Sequence, residues 1–318
     1  MNGEKKTNYS LNKLTAFKAK HMRGSEKKII KSNYLKIGEN SLGVIQPNVK
    51  NFNVVEWIKE NRDFLEKQLF KDGAILFRDF NINSGSKFKN FVLSISSELI
   101  EYGERSSPRT QLSSGIYTST AHPAKQHILL HNEQSYTLNR PMKIWFCCIQ
   151  PSQEGGRTPL ADSRKVFQRL DQQIVEKFSQ KKVMYVRNYG NGLGLPWQEV
   201  FLTNDKAVVE EHCRKASIEF EWQERNRLKT WQVRPAIRQH PKTGEIVWFN
   251  HAVFFHISSL ELSVREKMLE AVKQEELPFN TFYGDGSPIE PSVLDAIRKA
   301  YHQETLAFSC QIGKQEMC

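Results

Sequence analysis

The chain has 318 residues, of which 39% are hydrophobic and 25% are charged, a balance that is normal for a soluble globular protein. Five unpatterned cysteines indicate reduced thiols, and the lack of a signal peptide or a bilayer-length apolar run predicts a cytoplasmic protein outside the membrane. The formal charge of +11 favours acidic partners, but no helix-turn-helix, zinc-knuckle or RNP-like pattern predicts nucleic-acid binding.

Residues 1–30 form a basic arm with little apolar periodicity, which predicts a disordered tail, and residues 31–318 form the predicted domain. Beyond the arm, apolar residues at helical spacing alternate with short apolar runs. In chain order they predict a helix at 54–70, a strand at 74–77, a helix at 88–99, strands at 116–120, 127–131 and 142–149, a helix at 162–181, a strand at 183–187, a helix at 208–217, strands at 234–237 and 246–255, and helices at 263–274 and 292–301. The run Ala-Phe-Ser-Cys-Gln-Ile at 307–312 and a short polar tail follow.

Three local signals refine these elements. Gly73 is a candidate stop for the first helix, and Asp162 or Ser163 is a candidate N-cap. Residues 241–244, Pro-Lys-Thr-Gly, predict the turn of a hairpin. Helices that flank many short strands indicate an α+β or mainly β domain, built as a sandwich or jelly roll.

The segment at 128–136 reads Ile-Leu-Leu-His-Asn-Glu-Gln-Ser-Tyr. On a strand, His131 and Glu133 would project together and Asn132 would point to the other face. One imidazole and one carboxylate at a strand end are two corners of a facial triad for Fe(II), with positions left for O2 and a cosubstrate. Taken alone, the pair is equally a polar strand end that faces water.

A long ordered series of motifs resembles the TauD/TfdA family of Fe(II)- and 2-oxoglutarate-dependent dioxygenases. It includes His-Asn-Glu-Gln-Ser-Tyr at 131–136 and Gly-Gly-Arg-Thr-Pro-Leu-Ala-Asp-Ser-Arg at 155–164. Further motifs resemble the SyrP-like branch of the family, hydroxylases of nonribosomal peptide and antibiotic biosynthesis. These motifs lie at 107–110, 117–120, 187–190, 194–197, 247–250 and 283–286. The resemblance implies a double-stranded β-helix, the clavaminate synthase-like jelly roll, with flanking helices.

The resemblance also implies functional residues. His131 and Glu133 would be iron ligands, with Glu replacing the Asp that is more frequent in the family. Thr158 lies 25 residues beyond Glu133, at the family position whose hydroxyl contacts the 2-oxoglutarate carboxylate. Outside this context, Thr158 would be read as an ordinary turn residue.

In the family, a third ligand and an arginine come from a C-terminal His-Gly-Arg segment. Residues 308–313 match the beginning of that segment, but Cys310 and Lys314 replace the expected Trp and Asp, and neither His nor Arg follows Gly313. The interpretation is a domain truncated before the segment, with the third metal ligand absent and the barrel incomplete at its C-terminal end.

The other histidines do not stand at ligand positions of the family. His251 and His256 are five residues apart, on opposite faces of a regular strand, so a core or supporting role is expected for them. His122, His127 and His302 are not expected to bind iron either. His302, on the last helix, is expected to face solvent.

Two hypotheses follow from different classes of protein. The first is an oxygenase that uses Fe(II), 2-oxoglutarate and O2 to hydroxylate an unactivated C–H of an amino acid or a related small molecule. Such a substrate is either free or tethered to a carrier protein, and an acidic carrier would suit the basic chain. The second is an inactive remnant or binding protein of the same fold.

Overall fold

The computed structural model describes residues 29–119, 127–309 and 316–317. Helices and strands alternate along this part of the chain. The strands are β1 (Ile30–Ile37), β2 (Asn40–Pro47), β3 (Ile75–Arg78), β4 (Gln111–Ser113), β5 (Ile116–Tyr117), β6 (Cys147–Cys148), β7 (Arg157–Leu160), β8 (Val183–Tyr189), β9 (Glu219–Gln223), β10 (Arg227–Arg234), β11 (Ile237–Gln239), β12 (Ile246–Trp248), β13 (Phe279–Tyr283), β14 (Leu306–Ser309) and β15 (Glu316–Met317).

The α-helices are α1 (Val54–Glu60), α2 (Arg62–Asp72), α3 (Gly85–Ile95), α4 (Ser163–Arg169), α5 (Gln172–Lys181), α6 (Trp197–Phe201), α7 (Lys206–Lys215), α8 (Leu262–Ala271) and α9 (Pro291–Glu304). Single 3₁₀ turns lie at Glu224–Asn226, Ile257–Ser259 and Gln274–Glu276. None of the helices in the described ranges is long and apolar enough to cross a membrane.

The described strands assemble into two larger sheets and three two-stranded ladders. The first sheet has the order β1-β2-β3-β15-β6, in which only β2 and β3 pair in parallel. The second has the order β13-β8-β10-β9 and is antiparallel throughout. The ladders are β4-β5, β7-β14 and β11-β12. Many short strands with flanking helices are therefore present, as the sequence predicts.

The largest apolar core combines side chains of α4, α5 and α9 with side chains of β8, β12 and β13. Phe178 is fully buried within it, and its ring lies 5.1 Å from the ring of Trp248 and 5.1 Å from that of Tyr283, centroid to centroid. Burial of one such aromatic side chain contributes roughly 1.5–3 kcal/mol. This core fixes β8 and β12, which lie next to the polar site described below.

The parallel strands β2 and β3 are buried on both faces. Ile45 and Phe77 pack into a cluster with α1 and α3, whereas Val44 and Leu76 pack against β14. A strand that is covered on both faces reads as a continuous apolar run rather than an alternating one. The prediction of a buried strand at 74–77 is therefore confirmed.

Two predicted helices are each divided into two. The helix predicted at 54–70 is interrupted at Asn61, whose φ of −118° and ψ of 22° leave helical geometry, although Gly73 ends α2 as predicted, with φ of +78°. The helix predicted at 162–181 begins at the predicted N-cap Asp162 but breaks before α5. The cause is Asp171, whose carboxylate accepts a hydrogen bond from the first turn of α5 and starts a new helix.

Three predicted strands are wrong over most of their length. The segment 127–131 has no regular structure, and Ile128 and Leu129 are exposed rather than buried. Within 142–149 only β6 is a strand, and within 246–255 only β12 is, with turns beyond it. Apolar runs identify residues that favour burial, but a strand also needs a partner with free backbone groups.

Four other predicted elements are confirmed, whereas the strands predicted at 116–120 and 234–237 are strand only at 116–117 and at 234 and 237. The turn at 241–244 joins β11 and β12 as an antiparallel hairpin, in which Gln239 pairs with Ile246 and Gly244 has φ of +73°. The strand predicted at 183–187 is β8, and the late helices are α8 and α9. The predicted arm at 1–30 lies, but for its last two residues, outside the described ranges.

Phe178→Ala is expected to lower the free energy of unfolding by about 3–5 kcal/mol, because a buried phenyl ring leaves a cavity that its neighbours fill only in part. Urea titration followed by circular dichroism measures this change. Leu262→Ala serves as the control, because Leu262 on α8 is 57% exposed. Equal midpoints for the two variants would contradict the assignment of Phe178 to the core.

Candidate active site

His131 and Glu133 lie close together, although not on a strand. His131 Nε2 is 3.5 Å from Glu133 Oε2, and the two side chains are 22% and 18% exposed. His131 belongs to an irregular segment, and Glu133 begins a turn in which Gln134 adopts a left-handed φ of +51°. The prediction that the two side chains converge agrees with this geometry, but strand alternation is the wrong reason. The turn brings them together instead.

The ring of His131 is held in a defined orientation and tautomer. Its Nδ1 lies 2.7 Å from the carbonyl oxygen of Leu129, which can only accept, so Nδ1 carries a proton. One ring face stacks on Phe254, with centroids 4.1 Å apart and an interplanar angle of 23°. With Nδ1 engaged in this way, Nε2 is the ring nitrogen that faces the carboxylate and the one available to a metal.

The carboxylate of Glu133 has a second neighbour, Arg109. Its Nη2 lies 3.5 Å from Glu133 Oε1, while the other oxygen faces His131. Burial raises the pKa of the Glu133 carboxyl, but contact with His131 and the charge of Arg109 outweigh burial and hold the pKa below its ordinary value. Glu133 is accordingly an anion at neutral pH.

Residues 134–137 anchor the pair from behind, and all four are buried. The amide of Gln134 donates to the carbonyl of Gly103 at 3.0 Å, and the hydroxyl of Tyr136 donates to the carbonyl of Glu104 at 2.9 Å. The hydroxyl of Thr137 closes the turn by donating to the carbonyl of Gln134. A buried and hydrogen-bonded turn of this kind leaves the preceding two side chains little freedom of position.

His251 packs beside His131, with ring centroids 5.2 Å apart. It is 2% exposed, and its Nδ1 lies 2.6 Å from the hydroxyl of Ser135. Burial, followed by the neighbouring His131 and Arg187, lowers the pKa of His251 well below its ordinary value, so the ring is neutral. It lies in a turn beyond β12 rather than on a strand, and its place agrees with the predicted core or supporting role.

Asn132 turns away from the pair, as predicted, and joins three separate elements. Its amide donates to the hydroxyl of Ser163 at the start of α4, at 2.9 Å. Its oxygen accepts from the backbone of Asn250 at 3.2 Å and from the hydroxyl of Tyr301 on α9 at 3.1 Å. The residue between His131 and Glu133 therefore ties the segment to the helices of the main core.

Thr158 lies on β7, where it is half-buried and pairs with Phe308 of β14. It makes no hydrogen bond with His131 or Glu133 among the described contacts, so the structure does not bring this predicted site residue into direct contact with the pair. His256 Nδ1 forms a hydrogen bond with the hydroxyl of Ser258 at the start of the 3₁₀ turn Ile257–Ser259.

Three further histidines considered in the sequence lie away from the pair or outside the described ranges. His302 is exposed, as predicted, and His127 lies at the exposed start of the irregular segment before His131. His122 falls outside the described ranges, as do Cys310 and Lys314.

The donor set of the pair fits a divalent cation. An imidazole nitrogen and a carboxylate oxygen face each other at 3.5 Å, and both are donor types that a divalent cation binds. Across the described ranges, no group of three or more His, Cys, Asp or Glu side chains could hold a metal ion. Within those ranges, His131 and Glu133 thus supply two protein donors.

Arg109 is the site residue that sequence reasoning missed as a functional candidate. Its guanidinium lies over the ring of Tyr102 at 4.6 Å and reaches Glu133 from a segment 24 residues earlier. That segment is held by Arg187 of β8, which donates to the carbonyls of Glu104 at 3.2 Å and Arg105 at 2.6 Å. The Ser-Pro-Arg-Thr motif at 107–110 was the available signal, but it does not reveal the tertiary contact.

Comparison with known proteins shows the family to which the chain belongs. Residues 36–314 match the family described as "Taurine catabolism dioxygenase TauD, TfdA family". The dapdiamide synthesis protein DdaC of Enterobacter agglomerans is 39% identical over 249 residues, which cover 78% of this chain and 76% of that protein. A clavaminate synthase-like protein of Arabidopsis thaliana is 26% identical over 266 residues, covering 80% and 77% of the two chains.

Two solved structures also align with the chain, both at low sequence identity. The PvcB protein from Pseudomonas aeruginosa aligns with a TM-score of 0.48 and 12% identity, over 91% of this chain and 82% of that one. AAD-2 in complex with Mn(II) and N-oxalylglycine aligns with a TM-score of 0.41 and 12% identity, over 90% and 87%.

Arg187→Lys is expected to loosen the segment that carries Arg109, because one ammonium group cannot donate to both carbonyls with the fixed geometry of a guanidinium. The free energy of unfolding should fall by about 1–3 kcal/mol. Amide hydrogen exchange should accelerate at residues 102–109 and stay unchanged in α9. Arg214→Lys, at a side chain that is 64% exposed, is the control. Unchanged exchange at 102–109 would contradict the anchoring role.

Proposed function

Because the chain belongs to the TauD/TfdA family of Fe(II)- and 2-oxoglutarate-dependent dioxygenases, which also use O2, we propose that His131 and Glu133 are its iron ligands. The observation that carries this proposal is the approach of His131 Nε2 to Glu133 Oε2 at 3.5 Å, with Nδ1 already engaged by a carbonyl. Both atoms are the types of donor that non-haem iron sites use.

Each neighbouring side chain has a defined task in this proposal. Leu129 fixes the tautomer of His131, and Phe254 covers one face of its ring, which keeps water from that side. Arg109 holds one oxygen of Glu133 and leaves the other facing His131. Bound Fe(II), with 2-oxoglutarate and O2, supplies the oxidising power to hydroxylate an unactivated C–H bond, with succinate and CO2 as coproducts.

Thr158 is proposed to contact the carboxylate of 2-oxoglutarate. Its position on β7, in the antiparallel ladder with β14, supports the proposal, because a strand holds a hydroxyl at a fixed place. For the fold, the proposal is a double-stranded β-helix within one domain that begins near residue 31. The family match over 36–314 and the antiparallel order of the second sheet support it.

The proposed substrate is an amino acid or a related small molecule, and the proposed setting is the biosynthesis of a peptide antibiotic or another secondary metabolite. The relative that is 39% identical is named for dapdiamide synthesis, which supports this setting. An acidic carrier protein is the proposed partner if the amino acid is tethered, because the net charge of +11 favours acidic surfaces. A free amino acid needs no such partner.

The proposal is tested by succinate release from 2-oxoglutarate with Fe(II) and O2, in wild-type protein and in His131→Ala and Glu133→Ala. Wild-type protein should turn over 2-oxoglutarate slowly even without substrate, and both variants should lose turnover and iron binding, because each removes one of the two donors. His302→Ala is the control, since that side chain is exposed on α9.

Anaerobic iron titration accompanies the turnover assay. Wild-type protein that neither binds iron nor releases succinate would refute the iron site and support the second hypothesis, a binding protein of the same fold. Turnover that survives His131→Ala would refute the assignment of the ligand.

Thr158→Val is expected to raise KM for 2-oxoglutarate by at least about tenfold, because a hydrogen bond to a charged group contributes roughly 1.5–3 kcal/mol. The rate at saturating 2-oxoglutarate should change less. Thr158→Ser keeps the hydroxyl and should keep the KM of wild type. Equal KM values for the Val and Ser variants would show that Thr158 does not bind the cosubstrate.

A further inference from the structure

A cavity of about 220 Å³ opens between the segment that carries Arg109 and the region around α6. Arg105, Pro108 and Arg109 line one part of it, and Leu195, Glu199 and Leu202 line another. A cavity of about 150 Å³ can hold benzene, so this one accommodates a molecule somewhat larger than that. Its lining combines apolar side chains with charges of both signs, as small-molecule sites do.

Arg109 connects this cavity to the proposed iron site. Its side chain is 18% exposed, and one guanidinium nitrogen lies 3.5 Å from Glu133 Oε1. The Tyr102 ring supports the guanidinium at 4.6 Å, and the buried Nε has no hydrogen-bond partner. A group that contacts Arg109 from the cavity would therefore lie one side chain away from Glu133.

Arg105 brings a second guanidinium to the same cavity. Its Nε donates to the carbonyl of Tyr102 at 3.2 Å, and its own carbonyl accepts from the buried Arg187 at 2.6 Å. Its guanidinium also lies over the ring of Tyr117, 5.9 Å from the centroid. Two fixed guanidinium groups in one small cavity favour a carboxylate, which arginine binds with two parallel hydrogen bonds.

Glu199 supplies the opposite charge. It lies in the first turn of α6, and its carboxylate has no side-chain partner among the described contacts. Trp197 and Val200, on either side of it, are buried in the cluster that α6 and α7 form over β8 and β10, so its backbone is fixed. A carboxylate in that position is complementary to an ammonium group.

We propose that this cavity binds the primary substrate as a free α-amino acid, with its carboxylate on Arg105 and Arg109 and its ammonium group near Glu199. This proposal deepens the proposed function and rests on it, because the bound amino acid is a substrate only if the protein is an oxygenase. Pro108, Leu195 and Leu202 provide the apolar contacts for the remainder of the molecule. A thioester-tethered amino acid has no free carboxylate to bind the two guanidinium groups, so the cavity favours the untethered form.

The test measures ligand binding without iron, so that it does not depend on turnover. The probes are the twenty proteinogenic L-amino acids and, for each, the methyl ester and the N-acetyl derivative, titrated against the full chain by thermal shift. At least one free amino acid should raise the melting temperature, and its ester and its N-acetyl derivative should bind at least tenfold more weakly. The ester lacks the carboxylate, and acetylation removes the ammonium charge.

Two variants test the carboxylate contact and the ammonium contact separately. Arg109→Gln should weaken the free amino acid at least tenfold and leave the methyl ester unchanged, whereas Glu199→Gln should weaken the amino acid and leave the N-acetyl derivative unchanged. Arg214→Gln and Glu219→Gln, at exposed positions on α7 and β9, are the matched controls and should bind like wild type. Melting temperatures without ligand show whether a variant is folded.

Several outcomes would overturn the proposal. They are the absence of stabilisation by any free amino acid, an ester that binds as tightly as its acid, and an Arg109→Gln variant that loses affinity for 2-oxoglutarate instead. The last would assign the cavity to the cosubstrate. Amino-acid binding without any iron binding would refute the iron site alone, whereas iron-dependent succinate release without amino-acid binding would refute the cavity assignment alone.

Discussion

Burial of residues 134–137 is the constraint on which the site depends. These four residues follow Glu133 directly, and their polar groups are satisfied by backbone carbonyls and by His251. Once that turn is packed, His131 and Glu133 have one direction in which to point. Such a site gains precision from the scaffold rather than from its own side chains, because a buried polar group that loses its partner is costly.

The same constraint draws a second segment into place. Carbonyls at Gly103, Glu104 and Arg105 accept hydrogen bonds from Gln134, Tyr136 and Arg187, and these bonds bring the 102–109 segment against the turn. Asn132 does the same on the other side, toward α4 and α9. Backbone oxygens thus take the role that side-chain pairs have in many sites.

Much of the fold was predictable where apolar residues bury one face, as in α9, or both faces, as in β3. The β1–β2 hairpin was not, because most side chains of β1 are exposed and carry no periodic signal. His131 and Glu133 were predictable from spacing and motif, but the turn that joins them depends on the left-handed Gln134, which spacing does not encode. The contact of Arg109 with Glu133 depends on tertiary hydrogen bonds and has no local signature.

Arg109 touches both the carboxylate of Glu133 and the cavity. One guanidinium shared by two sites makes them thermodynamically linked, because a ligand that draws its charge toward the cavity changes the charge balance around the carboxylate. Linkage is reciprocal for equilibrium binding. The factor by which an occupant of the cavity alters the affinity of Glu133 for a cation must therefore equal the factor by which that cation alters the affinity for the occupant.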